Sequence, residues 1–287
     1  MGQFHDRMEA DMEVRGFSPQ TRKAYLRCMR AFVGHFMRPP DQLTPDHIHQ
    51  YQLHLTRGRE VSTGTFNQAI AALRFFYRVT LKKDWAIQEI PYRKKARKLP
   101  EILSPEKVTA LFSSAKNLKH RAILMTLYAG GLRVNEAVHL KLSDIDSQRM
   151  VIRVEQAKGR KDRYVMLSPK LLEVLRQYWK AFRPRTWLFP GQPSDKPIDR
   201  ATVNRMLHKV QKAAGIRGRV YPHLLRHSFA THLMEHGTHL PVIQRLLGHR
   251  SLRSTEIYTH VAKNYLHETP SPLDTLPDPM KAPPGTD

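Results

Sequence analysis

The stretch from Tyr221 to Gly237, YPHLLRHSFATHLMEHG, sets His223, Arg226, His227 and His232 among apolar residues at helical spacing. Three chemistries use such a set. Imidazoles four apart, as His223 and His227 are, match the pitch of a helical zinc site. A metalloprotease helix needs a Glu directly after its first His, however, and Leu224 stands there. Arg226 would also put a fixed positive charge beside a divalent cation, so no metal ligand is assigned. Phosphate binding is the second chemistry. His223 and Arg226 are three apart and share a helix face, and a guanidinium fork donates to two phosphate oxygens at once. The third is a helix whose polar side chains meet water or fill a core, and that reading is kept for His227 and His232.

Separate pieces of the chain extend the phosphate reading. AGGLRVNEA places Arg133 after a glycine break, with Glu136 one turn later. Such a break lets the start of the next helix come close to a ligand, although alone this pair reads as a surface ion pair. QAKGRKD is a basic turn containing Lys158, Arg160 and Lys161, with Arg163 just beyond it. In LLGHRS, Gly248 ends a helix and presents His249. Tyr258 follows nine residues later in STEIYTHV; in isolation it reads as a half-buried core aromatic. In this order and spacing, Arg133, AKG, HLLRH, LGH and IYTH resemble the tyrosine recombinases of the phage integrase family, with the Xer and integron-integrase types closest. The resemblance runs over residues 1–267.

The resemblance implies a role for each matching residue. Tyr258 matches the nucleophile, which attacks a DNA phosphodiester to leave a 3′-phosphotyrosyl bond and a free 5′-hydroxyl. Arg133 and Arg226 match the arginines that clamp the non-bridging oxygens, His223 and His249 the two imidazoles, and Glu136 a supporting acid. Lys158 matches the hairpin lysine that protonates the leaving oxygen, with Lys161 as the alternative. Arg160, Lys161 and Arg163 are expected to contact phosphate. This set suits the chemistry, because donors fixed around a phosphorane stabilise the charge on its equatorial oxygens. A tyrosine, ordinarily titrating near pH ~10, is expected to be acidified by so cationic a pocket. One phosphodiester is exchanged for another, so neither ATP nor a metal is required, and no cofactor is expected.

Composition agrees on the partner. The chain has 287 residues, with 48 Lys and Arg against 25 Asp and Glu, a net charge of +23. Such an excess suits a polyanion, and nucleic acid before an acidic membrane, since the basic residues are not gathered into one amphipathic anchor. No run of apolar residues reaches transmembrane length, and the first residues lack the apolar core of a secretory signal. The lone Cys28 allows no internal disulfide, fits a reducing cytoplasm, and lies in an apolar stripe as packing.

The positioning elements read as two domains. Residues 1–85 form a helical, SAM-like core-binding bundle, opened repeatedly by small polar caps and prolines: Ser18-Pro19, Thr44-Pro45, Ser62. Residues 86–103 form a basic linker whose Arg93, Lys94, Lys95, Arg97 and Lys98 are expected along a DNA backbone. Residues 104–267 form the catalytic domain, and the proline-rich 268–287 a disordered tail. MVIRVEQ and RYVML alternate as a hairpin, so the expected fold class is mainly α with a small antiparallel sheet (α+β). The expected function is site-specific DNA recombination by a bacterial, cytoplasmic, nucleoid-associated enzyme. It would be a monomer in solution and a tetramer on double-stranded DNA with paired binding sites. The alternatives are a type IB topoisomerase and a non-cutting DNA-binding regulator. Pro270 and Pro272 put in question the usual docking of a C-terminal helix on a neighbouring protomer.

Overall fold

In the computed structural model, residues 2–83, 90–94, 101–155, 162–249, 251 and 254–258 are described. The chain divides into two compact units, Met1–Arg97 and Lys98–Asp287. No helix among the described residues is long and apolar enough to cross a membrane.

The first unit is helical. α1 (Gly2–Val14) ends before Gly16, which takes a left-handed φ of 68°. α2 (Pro19–Phe36) starts at Ser18, whose hydroxyl accepts the Thr21 N–H at 3.2 Å. α3 (Pro45–Leu53) and α4 (Thr63–Phe75) each continue into a wide turn, His54–Gly58 and Phe76–Thr80. Ser62 caps α4 through the Thr65 N–H at 3.2 Å. Each cap satisfies a backbone donor that the first helical turn leaves unpaired. Met8, Met12, Met29, Phe32, Ile48 and Ile70 fill the core between these helices. The expected helices are all present.

The basic segment, expected along a DNA backbone, is described only in part. Arg93 is docked on the first unit: Asn67 accepts its N–H at 2.9 Å and donates to its carbonyl at 3.0 Å. Its guanidinium lies 4.2 Å from the Phe66 ring centroid and bonds Thr56. An apolar ring face and a hydroxyl hold this side chain better than open water does. Lys94 is exposed, whereas Lys95, Arg97 and Lys98 lie outside the described residues. So does the tail 268–287.

In the second unit, α5 (Pro105–Ser114) and α6 (Leu118–Ala129) lead to the glycine break and the short α7 (Val134–Val138). A sheet of order β1-β2-β3 follows, all antiparallel: β1 (Ile145–Asp146), β2 (Val151–Val154) and β3 (Arg163–Met166). The predicted hairpin is β2–β3, in register Ile152 to Val165 and Val154 to Arg163. The two-residue β1 is too short for any periodicity to show. Next come α8 (Pro169–Phe182), α9 (Arg200–Ala213), α10 (Pro222–Glu235) and α11 (Leu240–Leu247), then a 3-10 turn Glu256–Tyr258.

α10 is the axis of this unit, packing against α6, α11 and the turn that carries Tyr258. The sequence suggests one apolar and one phosphate-facing side, but α10 is buried almost all round, Arg226, Ser228, Thr231 and His232 included. A helix enclosed by three neighbours keeps little of its polar side in water, and here His223 stays exposed while His227 is half-buried. Ser228 accepts the Leu103 N–H at 2.8 Å, and His232 shares a 2.8 Å bond with Tyr128.

Gly131 makes the close crossing possible. Its φ is +56°, and a Cβ there would lie 2.4 Å from the Phe229 ring. Gly131→Ala should therefore lower stability by about 2–4 kcal/mol, through left-handed backbone strain and overpacking together. Denaturant unfolding measures this, and a loss below about 1 kcal/mol would show that Phe229 yields freely.

Candidate active site

Arg133 stands at the head of α7, just past the break. Its own N–H donates to Glu136 Oε2 at 2.8 Å and its guanidinium to Glu136 Oε1 at 2.8 Å. A carboxylate one turn into a helix suits the positive end of the helix dipole. Glu136 is largely buried, so the pair is not the surface contact that the sequence suggests. Burial would raise its carboxyl, but Arg163 and then Arg133 outweigh that and hold it at about 2.

Arg226 enters from α10, buried, and donates to the Gly131 carbonyl at 2.6 Å and the Leu247 carbonyl at 2.5 Å. These are backbone acceptors left open at a break and at a helix C-terminus. Glu136 Oε2 lies 3.8 Å from its Nη1. Burial, then the neighbouring Arg133, lower Arg226 to about 10, still cationic at neutral pH. Gly248 closes α11 in the left-handed conformation (φ 64°), and the half-buried His249 bonds Thr255 at 3.0 Å.

Tyr258 is 1% exposed, and its phenol shares a 3.0 Å hydrogen bond with His227 Nδ1. Burial raises its pKa while Arg226 and Arg133 lower it, and the balance is upward. The expected acidified tyrosine is thus corrected: loss of water around the phenolate outweighs two cations that are themselves engaged elsewhere. The imidazoles shift the other way. Burial, then Arg226 and Arg133, lower His223 and bring His249 to about 4, so the site presents neutral rings at neutral pH.

Arg133, Glu136, His223, Arg226, His249 and Tyr258 thus surround one region of the second unit, from α7, α10, α11 and the following turn. Lys158, Arg160 and Lys161 lie outside the described residues. Arg163 is a correction. Expected at phosphate, it has all three guanidinium nitrogens engaged within the protein, forking onto both Glu136 oxygens at 3.0 and 2.8 Å and reaching the Leu246 carbonyl at 2.7 Å. Strand alternation turns it inward from β3, where a buried carboxylate waits. His227 is the residue that sequence reasoning passed over. Only its position directly after Arg226 hinted at the site, and only folding brings it to Tyr258.

A phage integrase family model matches residues 101–265, and an N-terminal SAM-like domain model of the same family matches residues 4–87. The chain belongs to the phage integrase family. It is 50% identical to the integrase/recombinase y4qK of Sinorhizobium fredii, over 99% of this chain and 92% of that protein. Tyrosine recombinase XerC of Pediococcus pentosaceus is 32% identical, over 89% of this chain and 92% of its own length. Among solved structures, the XerH site-specific recombinase bound to its difH substrate superposes with a TM-score of 0.70 at 25% identity, covering 90% of this chain and 80% of that one. Family members are tyrosine recombinases, which break and rejoin DNA through a tyrosine, and site-specific recombination is the activity of this chain.

Glu136 provides a test of the charge arrangement. Its folded carboxyl titrates at about 2 against an ordinary 4.5, so its contribution is complete above the ordinary value. It is lost as pH falls from there towards the folded value. Glu136→Gln should cost about 3–5 kcal/mol at neutral pH, leaving buried guanidinium groups without their anion. Urea unfolding of both proteins over a pH series should show the gap closing on acidification, and a gap independent of pH would rule out an ionised Glu136.

Proposed function

We propose that Tyr258 is the nucleophile of this recombinase and that Arg133, His223, Arg226 and His249 hold the phosphate it attacks. The single observation that carries the reading is the convergence on the Tyr258 phenol of two arginines anchored by backbone carbonyls and one carboxylate. Donors held by protein acceptors before the ligand arrives need little reorganisation when charge develops on the phosphorane. Tyr258 Oη attacks phosphorus as its proton passes to the neutral His227 ring that it hydrogen-bonds, the 5′-oxygen leaves, and rejoining reverses the sequence with another 5′-hydroxyl. Lys158 donates the proton to the departing oxygen, and Lys161 is the other candidate in the same turn. Glu136 supports both arginines without touching substrate.

The substrate is double-stranded DNA with paired binding sites, as the XerH complex with difH supports. Residues 1–85 bind one side of the duplex and residues 104–267 carry the chemistry, with 86–103 as a basic connection and Lys94, Lys95, Arg97 and Lys98 at phosphate. The protein is a monomer that assembles as a tetramer on DNA. It works in the cytoplasm of a bacterium, at the nucleoid, and recombines a mobile element or resolves replicons. It uses no metal or cofactor.

The test begins with covalent capture from a pool of randomised nicked duplexes, because a nick prevents rejoining. Wild-type protein should leave an SDS-resistant adduct that maps to Tyr258. Tyr258→Phe should bind duplex with unchanged affinity and leave none; an adduct persisting at another tyrosine, such as Tyr265, would sink the assignment.

Lys158 is tested on the captured duplex with sulfur in place of the scissile 5′-oxygen, since a thiolate departs without a proton. Lys158→Ala should be at least about 10²-fold slow on ordinary DNA and near normal on the sulfur substrate. Rescue of Lys161→Ala instead would move the role to that residue.

A further inference from the structure

Arg163 closes the hairpin whose connecting residues include Lys158 and Lys161, pairing with Val154 across β2–β3. It nevertheless points away from solvent. Its fork occupies both Glu136 oxygens, and its Nε donates to the Leu246 carbonyl at 2.7 Å. We infer that Arg163 is a positioning residue for strand cleavage, fixing Glu136 and the end of α11 and through them Arg133 and the Gly248–His249 turn. This rests on the phosphate-site reading above.

The carboxylate side of the argument concerns orientation. Oε1 accepts from Arg133 and Arg163, and Oε2 from the Arg133 N–H and Arg163. A planar guanidinium meeting a carboxylate edge to edge fixes the carboxylate plane, which a point-charge ammonium does not. With that plane fixed, Arg133 has one place to rest. Without it, the carboxylate is free to turn towards Arg226 Nη1, 3.8 Å away, at the expense of Arg133.

The helix side concerns two adjacent carbonyls. Leu246 O is held by Arg163 and Leu247 O by Arg226. Both belong to the last turn of α11, where no intrahelical donor is available. Gly248 and His249 follow directly, so the two arginines set the direction from which His249 faces the site. One side chain therefore steadies a carboxylate from α7, 27 residues before it, and a turn of α11, 83 residues after it.

The experiment uses Arg163→Lys and Arg163→Met in the full chain. Binding to a random-sequence duplex should keep its salt dependence in both, whereas a lost phosphate contact flattens the slope by about 0.9 and would overturn the inference. On the duplex captured by wild-type protein, cleavage should fall by about tenfold or more in both variants with affinity unchanged, as displacement of preorganised groups does. The pH profile separates positioning from general support of the fold. Glu136 is faced by Arg133 from the head of α7, by Arg226 and His223 from α10, and by Arg163 from β3. Removing Arg163 takes away the main cation that stabilises the carboxylate, so the acid limb of cleavage should move to higher pH in Arg163→Met and less in Arg163→Lys. Added to Glu136→Gln, Arg163→Met should cost little more, because the two act as one unit. An unmoved acid limb with fully additive losses would reduce Arg163 to a structural residue. Should Arg163→Met not fold, Arg163→Gln carries the same comparisons. An adduct persisting in Tyr258→Phe would count against the phosphate site alone, since the Arg163–Glu136 coupling is also read in unfolding free energies.

Discussion

The Glu136 carboxylate is the contact on which the arrangement of the site depends. Arg133, Arg163 and Arg226 approach it from three separate elements. Three guanidinium groups at such separations repel one another in a medium less polarisable than water, and one buried anion makes their convergence tolerable. The anion in turn stays ionised only because they surround it, which is why its carboxyl titrates at about 2 in spite of burial. Charge therefore remains in excess at the site, in keeping with a ligand that brings negative charge of its own.

Backbone geometry does the rest of the anchoring. Two helices stop where they expose carbonyls, α6 at the Gly130-Gly131 break and α11 at Gly248, and Arg226 spans both. A helix end usually gives such carbonyls to water. Here they hold a guanidinium in a dry interior, with α10 enclosed on nearly every side. The same break lets Phe229 pass close to Gly131, so the packing of α10 and the placement of Arg226 have one cause.

The protonation pattern follows from that dryness. Tyr258 is a phenol whose pKa is raised, bonded to His227, and the rings of His223 and His249 are lowered toward neutrality. Neutral imidazoles beside two fixed cations donate or accept a proton without adding to the repulsion. Sequence composition suggests an acidified tyrosine; the interior does the opposite, because desolvation of a phenolate outweighs cations already bonded to protein oxygens.

Much was legible in the chain itself. Helix starts at Ser18 and Ser62 follow from caps that satisfy the unpaired donors of a first turn, and the hairpin follows from alternation with period two. Arg133, Glu136, His223, Arg226, His249 and Tyr258 could be singled out because the proposed chemistry needs those residue types in separated short motifs. Their surroundings were not legible. That Arg163 turns inward to Glu136, that His227 reaches Tyr258, and that most of α10 is buried all depend on contacts between residues tens of positions apart. Local sequence specifies turns, caps and side-chain chemistry, whereas desolvation and the choice of partner for each charge are properties of the packed interior, so the tertiary structure decides which arginine is held by Glu136 and which by backbone carbonyls.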